Sequence, residues 1–499
     1  MNTRIFMSVP WCRAALAALF LWVVPGVALG APVELPGESY SPAGLYTPEI
    51  VELDNGMRVI LRPRHHTPGV SIRLVVGLGS AHYPCGRQEL PHVLEHMVFN
   101  AIPGLTETEL EEQIQALGGF VNAYVGRKRT VYELDIYSAN TPVALELLSG
   151  MLFDGEFTQE SLELSQSVVA HEAGGDGGIL YLLAGLAGVD MMAEDYLDLA
   201  RSPRYFRLCY EPDLGQDIGL EEIRQAYANY YRPDNTTLVM VGDFDLAQAQ
   251  DWLQKFLAPV PPRDGPEGWR LHMNSDLGGQ TYYGYTEYPG VGVVVLTEGL
   301  IAEDYYARQF LRTYLDQRLF RRLRIETGLT YTPDVRDRIY SAEYGDFVIY
   351  AETDTGSKNE ALEIILEELA QLRREPIDEA VFRGMQHGKL MNWAGNTETN
   401  IGFAEHYVSS LFELDHYGHF VNDPTAIASL NPAQVHQVAR EIFAPERLII
   451  VRDADGWNRL FRVIAYWSLG AAILLAGLAI IVIGRLRRRR ERHTRLADP

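Results

Sequence analysis

Apolar and polar positions divide most of the chain into short alternating or helical segments. Val51 to Leu61 reads as a hairpin, two strands around an Asn55-Gly56 turn. Val70 to Gly79 is a third strand, and it leads into a helix near Leu90 to Asn100. Thr106 to Leu117 is an amphipathic helix whose Thr106 and Glu109 have capping-box spacing. Val121 to Tyr137 supplies further strands, Thr141 to Phe153 a further helix, and Ser161 to Glu172 a helix-like segment. Gly174-Gly-Asp-Gly-Gly178 breaks the chain as a loop, and residues 31–46 form an irregular lead-in.

The pattern then repeats. Ile218 to Pro233 precedes the apolar strand Thr237 to Val241, and Leu430 to Pro445 precedes Leu448 to Val451, shifted by 212 residues without a gap. Ile223 and Val435, Tyr231 and Phe443, and Pro233 and Pro445 coincide. Each is a helix, a proline-marked stop and a buried strand. The repeat predicts two tandem α+β domains, 46–257 and 273–455, joined by a proline-rich linker over 258–272.

The ends differ from the middle. Residues 1–30 read as a secretory signal: Arg4 and Arg13, an apolar run from Ala14 to Val24, and the small-residue site Ala28-Leu29-Gly30. Residues 464–484 carry no charge over a length that suits one transmembrane helix. Seven arginines follow within 485–499, which marks that tail as cytoplasmic. The expected location is therefore the inner (plasma) membrane, single-pass, with the large middle portion on the periplasmic side. Without both ends that portion keeps 34 basic and 64 acidic residues, a charge of about −30. Such a charge argues against nucleic-acid binding, and it would attract basic peptides to an enclosed chamber. Only Cys85 and Cys209 follow the signal, so the chain is no disulfide scaffold.

The candidate chemistry lies in Leu90 to Asn100. His92, Glu95 and His96 form His-x-x-Glu-His, and positions i, i+3 and i+4 share one helix face. Two imidazoles one turn apart can hold Zn²⁺, and a neighbouring carboxylate that does not bind the metal can take a proton from its water. A helix with two surface histidines would give the same five residues. Glu172 lies 76 positions after His96 on a second helix-like segment and can supply a third ligand.

In this order and spacing, with Gly118-Gly-Phe-Val-Asn-Ala-Tyr124 between, the chain resembles the M16 (pitrilysin-type, inverzincin) metallopeptidases, in the short two-domain form of the processing-peptidase-like members. The resemblance spans roughly residues 46–455. It implies an α+β fold of two homologous domains, each a mixed or antiparallel sheet packed with helices. The C-terminal transmembrane helix would be added to these. It implies Zn²⁺ on His92, His96 and Glu172, with Glu95 as the base and Asn122-Ala123 on a strand lying along the substrate. Leu323 to Tyr331 is similar to the family's C-domain element, which makes Arg324 and Tyr331 the residues that bind the scissile region from across a cavity. The implied activity is zinc-dependent hydrolysis of peptides or unfolded segments, in a homodimer or a heterodimer with another M16-like chain, since family chambers contain four domains. A non-catalytic peptide-binding or partner-stabilising subunit is the alternative. Ser165 stands where the family usually has a glutamate, seven residues before Glu172, and Asn100-Ala101 replaces its usual Gly-Thr.

Overall fold

The computed structural model describes residues 44–453 and 467–485, apart from 85, 103, 173–214, 267–277, 285–289, 299–300, 340–343, 355, 472, 476, 478 and 484. The expected signal segment, the Gly174 to Gly178 loop, Cys85 and Cys209 lie outside the described residues. So does part of the expected span over 464–484. Among the described residues no helix is long and apolar enough to cross a membrane. The described part of 467–485 is helical, and it exposes apolar side chains such as Trp467, Leu474 and Ile480.

Strands β1 (Glu49–Glu52), β2 (Arg58–Pro63), β3 (Gly69–Val76), β4 (Phe120–Val125), β5 (Thr130–Tyr137) and β6 (Thr236–Gly242) form one sheet, ordered β1-β2-β6-β3-β5-β4. With them go helices α1 (Leu90–Phe99), α2 (Glu107–Ala116), α3 (Thr141–Phe153), α4 (Gln159–Glu172), α5 (Leu220–Tyr230) and α6 (Leu246–Phe256). The second sheet contains β7 (Thr281–Gly284), β8 (Gly290–Glu298), β9 (Pro333–Ile339), β10 (Tyr344–Glu352) and β11 (Ile449–Asp453), ordered β7-β11-β8-β10-β9. Its helices are α7 (Ile301–Leu319), α8 (Lys358–Arg374), α9 (Glu379–Asn396), α10 (Asn400–Ser409), α11 (Leu411–Tyr417), α12 (Asp423–Ser429) and α13 (Pro432–Ile442).

From β2 and from β7 the two sheets read alike: one parallel pair, then three antiparallel pairs. The fold is thus a mixed α+β one in which β6 and β11 occupy the same place. The sequence repeat has a packing reason. Ile223, Val435, Tyr231 and Phe443 are all fully buried, each in the core of its own sheet. Local signals behave as their chemistry dictates. Gly56 takes φ +87° in the β1–β2 turn, and Thr106 and Glu109 close the capping box that starts α2.

Strand β3 is buried on both faces, and this sets the larger architecture. Ile72 and Leu74 join the main core of the first sheet, while Val75 joins a separate cluster with Ile60, Val239, Phe403, Tyr407 and Leu411. Helices α10 and α11 of the second half therefore cover the outer face of the first sheet. Arg73 points into this junction at 2% side-chain exposure, donating to Glu405 Oε1 at 2.7 Å and lying 3.3 Å from Asp135 Oδ1.

Beside this junction Glu413 on α11 is buried, with Oε2 accepting from the Val421 N–H at 2.9 Å. Burial pushes its carboxyl up from 4.5 to about 8, the Val421 hydrogen bond opposing and Asp423 adding to the rise. Between those values the native chain holds a proton that the unfolded chain has released. Stability from this group is therefore full below 4.5 and falls as pH rises towards 8. Denaturation midpoints measured at both ends of that window should draw closer together in Glu413→Gln than in the wild type.

Candidate metal centre

Helix α1 carries Pro91 in its first turn, where a missing N–H costs nothing, and packs Val93, Leu94, Met97 and Val98 into the core. That leaves His92, Glu95 and His96 facing the C-terminal end of α4 and the strand β4. Glu172 Oε2 lies 3.1 Å from His92 Nε2 and 3.6 Å from His96 Nε2. One ligand atom from each of the three residues falls within 4.8 Å of the other two. His96 Nε2 is shielded from solvent and has no hydrogen-bond partner among the described residues. An orphaned imidazole nitrogen between a second imidazole and a carboxylate fits a cation, and two nitrogens with one oxygen fit Zn²⁺ with a position left open.

The surroundings support that donor set. His92 Nδ1 meets Glu89 Oε2 at 2.7 Å, so the ring is oriented with Nε2 towards Glu172. Carboxylates on the far nitrogen of a metal-ligating histidine commonly do this. Burial works against a charge on His92, but Glu89 first, and Glu95 and Glu172 after it, outweigh burial and raise its pKa. Burial, aided by His92, holds His96 below the usual histidine range and keeps its nitrogen lone pair available. Glu95 is 5% exposed, and burial pushes it up to about 7; His92 pulls it down while Glu107 and Glu172 push it further up.

A cavity of about 510 Å³ contains all these groups, and Asn122 and Ala123 line it as well. Among the described residues strand β4 is the edge of its sheet, and an edge can pair with an added strand. Arg324 and Tyr331 are not brought to this cavity. They sit together at the end of a π-helical turn (Phe320–Glu326), where the Arg324 guanidinium lies 4.2 Å from the Tyr331 ring centre and donates to the Tyr331 carbonyl. Tyr331 is 80% exposed and precedes β9. Ser165 is buried on α4, its hydroxyl without a polar partner, and Glu163 is exposed. His171 is exposed and turns to the Ser167 carbonyl, away from the ligand group. Sequence reasoning passed over Glu89, although its i, i+3 spacing to His92 was a usable signal, and also Glu107, which Asn100 holds through Nδ2 at 3.1 Å.

Two family descriptions match this chain: "Insulinase (Peptidase family M16)" over residues 58–174 and "Peptidase M16 inactive domain" over 217–388. Together they span more than half of it, and the chain belongs to peptidase family M16. Among its relatives is YmxG of Bacillus subtilis (strain 168), described as an uncharacterized zinc protease. The two are 24% identical over 417 residues, covering 81% of this chain and 97% of the relative. The crystal structure of a protease from Helicobacter pylori shares the fold at TM-score 0.70 and 20% identity, over 81% of this chain and 99% of that one. The ferredoxin protease FusC, solved as a point mutant in complex with Arabidopsis ferredoxin, matches at TM-score 0.60 and 16% identity, over 82% of this chain and 48% of that one.

If His92, His96 and Glu172 are the ligands, His96→Ala should leave the purified chain with little or no zinc. Elemental analysis returning full zinc in that variant would overturn the assignment.

Proposed function

We propose that this chain is a membrane-tethered zinc metalloendopeptidase acting on peptides or unfolded segments. The observation that carries the reading is the convergence of His92, His96 and Glu172 beside a buried carboxylate, Glu95. Zn²⁺ held by the three ligands would supply Lewis-acid polarisation of a water and of the peptide carbonyl. Glu95 takes the proton from the attacking water and returns it to the leaving amine, a role suited to a carboxyl held near 7. Asn122 and Ala123 on the edge strand align the peptide by backbone pairing. Glu89 keeps His92 in the tautomer that presents Nε2.

Arg324 and Tyr331 would serve as orienting and oxyanion-binding groups once a second copy, or a related chain, brings them to a zinc site. Their mutual contact outside the cavity favours action in trans. The proposed units are 46–257 and 273–455, with a cleaved signal over 1–30 and a span over 464–484 that holds the catalytic part outside the cytoplasm. The exposed apolar side chains of 467–483 are consistent with that tether.

Zinc content measured together with turnover of an unstructured basic peptide tests the proposal. Stoichiometric zinc and chelator-sensitive cleavage are expected. Peptide binding without cleavage in the zinc-loaded chain would instead identify a non-catalytic subunit.

A further inference from the structure

A second cavity, about 570 Å³, opens in the C-terminal half between α7 and α9, with α12 at one end. Its place in the fold is informative. Helix α7 follows β8 as α1 follows β3, and α9 is the second helix after β10 as α4 is the second after β5. The cavity lies between the counterparts of the two helices that carry the metal ligands. Among the described residues its lining contains no histidine or cysteine and one carboxylate, Asp423, whose oxygens already accept from Tyr306 and Tyr46 at 3.0 Å. The chemistry here has changed sign.

The cations at this cavity are Lys389 and Arg312. In a chain with 66 acidic and 43 basic residues, cations ordinarily meet carboxylates. Arg308, Arg318 and Arg338 of the same half all do. Among the described residues Lys389 and Arg312 make no such close pair, although Arg312 faces Asp316 and Asp337 at longer range. Lys389 Nζ sits 5.3 Å from the Phe310 ring centre, and Arg312 Nε donates to the Val335 carbonyl at 3.1 Å. The nearby Asp337 is engaged by Arg308. Burial, then Arg312, push the Lys389 amine down to about 8, against the pull of Asp337. Lys389 therefore has a repelling cation beside it and no carboxylate in close contact, and a bound anion removes that cost.

The rest of the cavity suits an organic body. Gly384 and Gly388, one turn apart on α9, leave its floor open, since a Cβ at either would meet nothing within 4 Å. Phe310 and Trp393 are among its apolar surfaces, and Trp393 Nε1 is buried without an acceptor among the described residues. We propose that this cavity binds an organic carboxylate, its anionic group held by Lys389 and Arg312 and its apolar or aromatic body lying over Gly384 and Gly388.

Calorimetric titration of the full chain with N-acetylphenylalanine, with its amide and with inorganic phosphate tests this. The acid should bind at least about tenfold more tightly than the amide, as expected of a charge-assisted pair. Lys389→Met should remove that difference and Lys389→Arg should keep it, while Gly388→Leu should block the acid by filling the floor. A single cooperative melting transition, no lower than that of the wild type, shows that each variant is folded. Equal affinity for acid and amide, binding of phosphate alone, or no binding of the acid to the wild-type chain overturns the proposal.

Discussion

Replacing Glu95 by glutamine is expected to slow peptide hydrolysis by about 10²–10⁴-fold while zinc content stays unchanged. The amide keeps the size of the side chain but cannot accept the water's proton. Stability should hold or rise in the same variant. Glu95 is 5% exposed with no hydrogen bond among the described residues, and Glu107 and Glu172 both oppose its ionisation. Removing a desolvated carboxylate therefore costs the fold nothing. Hydrolysis at the wild-type rate in this variant would mean that the base lies elsewhere.

The largest effect on stability is expected at Arg308. It bonds Asp337 through Nε at 3.0 Å and donates through Nη1 to Thr297 Oγ1 at 3.1 Å. Arg308 is 2% exposed and Asp337 0%, so Arg308→Met strands a charge in the core of the second half. Breaking a buried pair in this way typically costs about 3–5 kcal/mol. Adding Asp337→Leu should recover most of the loss, because no unpaired carboxylate then remains. Urea denaturation compares the three chains; a single-variant loss below about 1 kcal/mol would contradict the burial argument.

Much of this arrangement is legible in the chain because it is local. His92, Glu95 and His96 meet by helical spacing alone, and Thr106 with Glu109 announces the start of α2. Ile223 and Val435 reveal the duplicated helix because both must be buried. What was not legible depends on distant partners. Phe403, Tyr407 and Leu411 make an apolar stripe, but nothing local says that it covers a sheet formed more than a hundred residues earlier. Arg73 looks like a polar interruption of a strand until Glu405, 332 positions on, is placed beside it. The spacing of Arg324 and Tyr331 was readable, but their contact with each other at a π-helical turn was not.

The cover that α10 and α11 place over the first sheet limits how this chain can be recombined. Two halves with the same strand order invite exchange, one half being swapped for that of a relative. Here such a chimera would set foreign side chains against Ile60, Val75, Val131 and Val239, and would separate Arg73 from Glu405. A first half produced without residues 400–417 would carry an uncovered apolar face, which is an aggregation surface. The inheritable module is the pair of halves, and substitutions on either side of that seam have to change together.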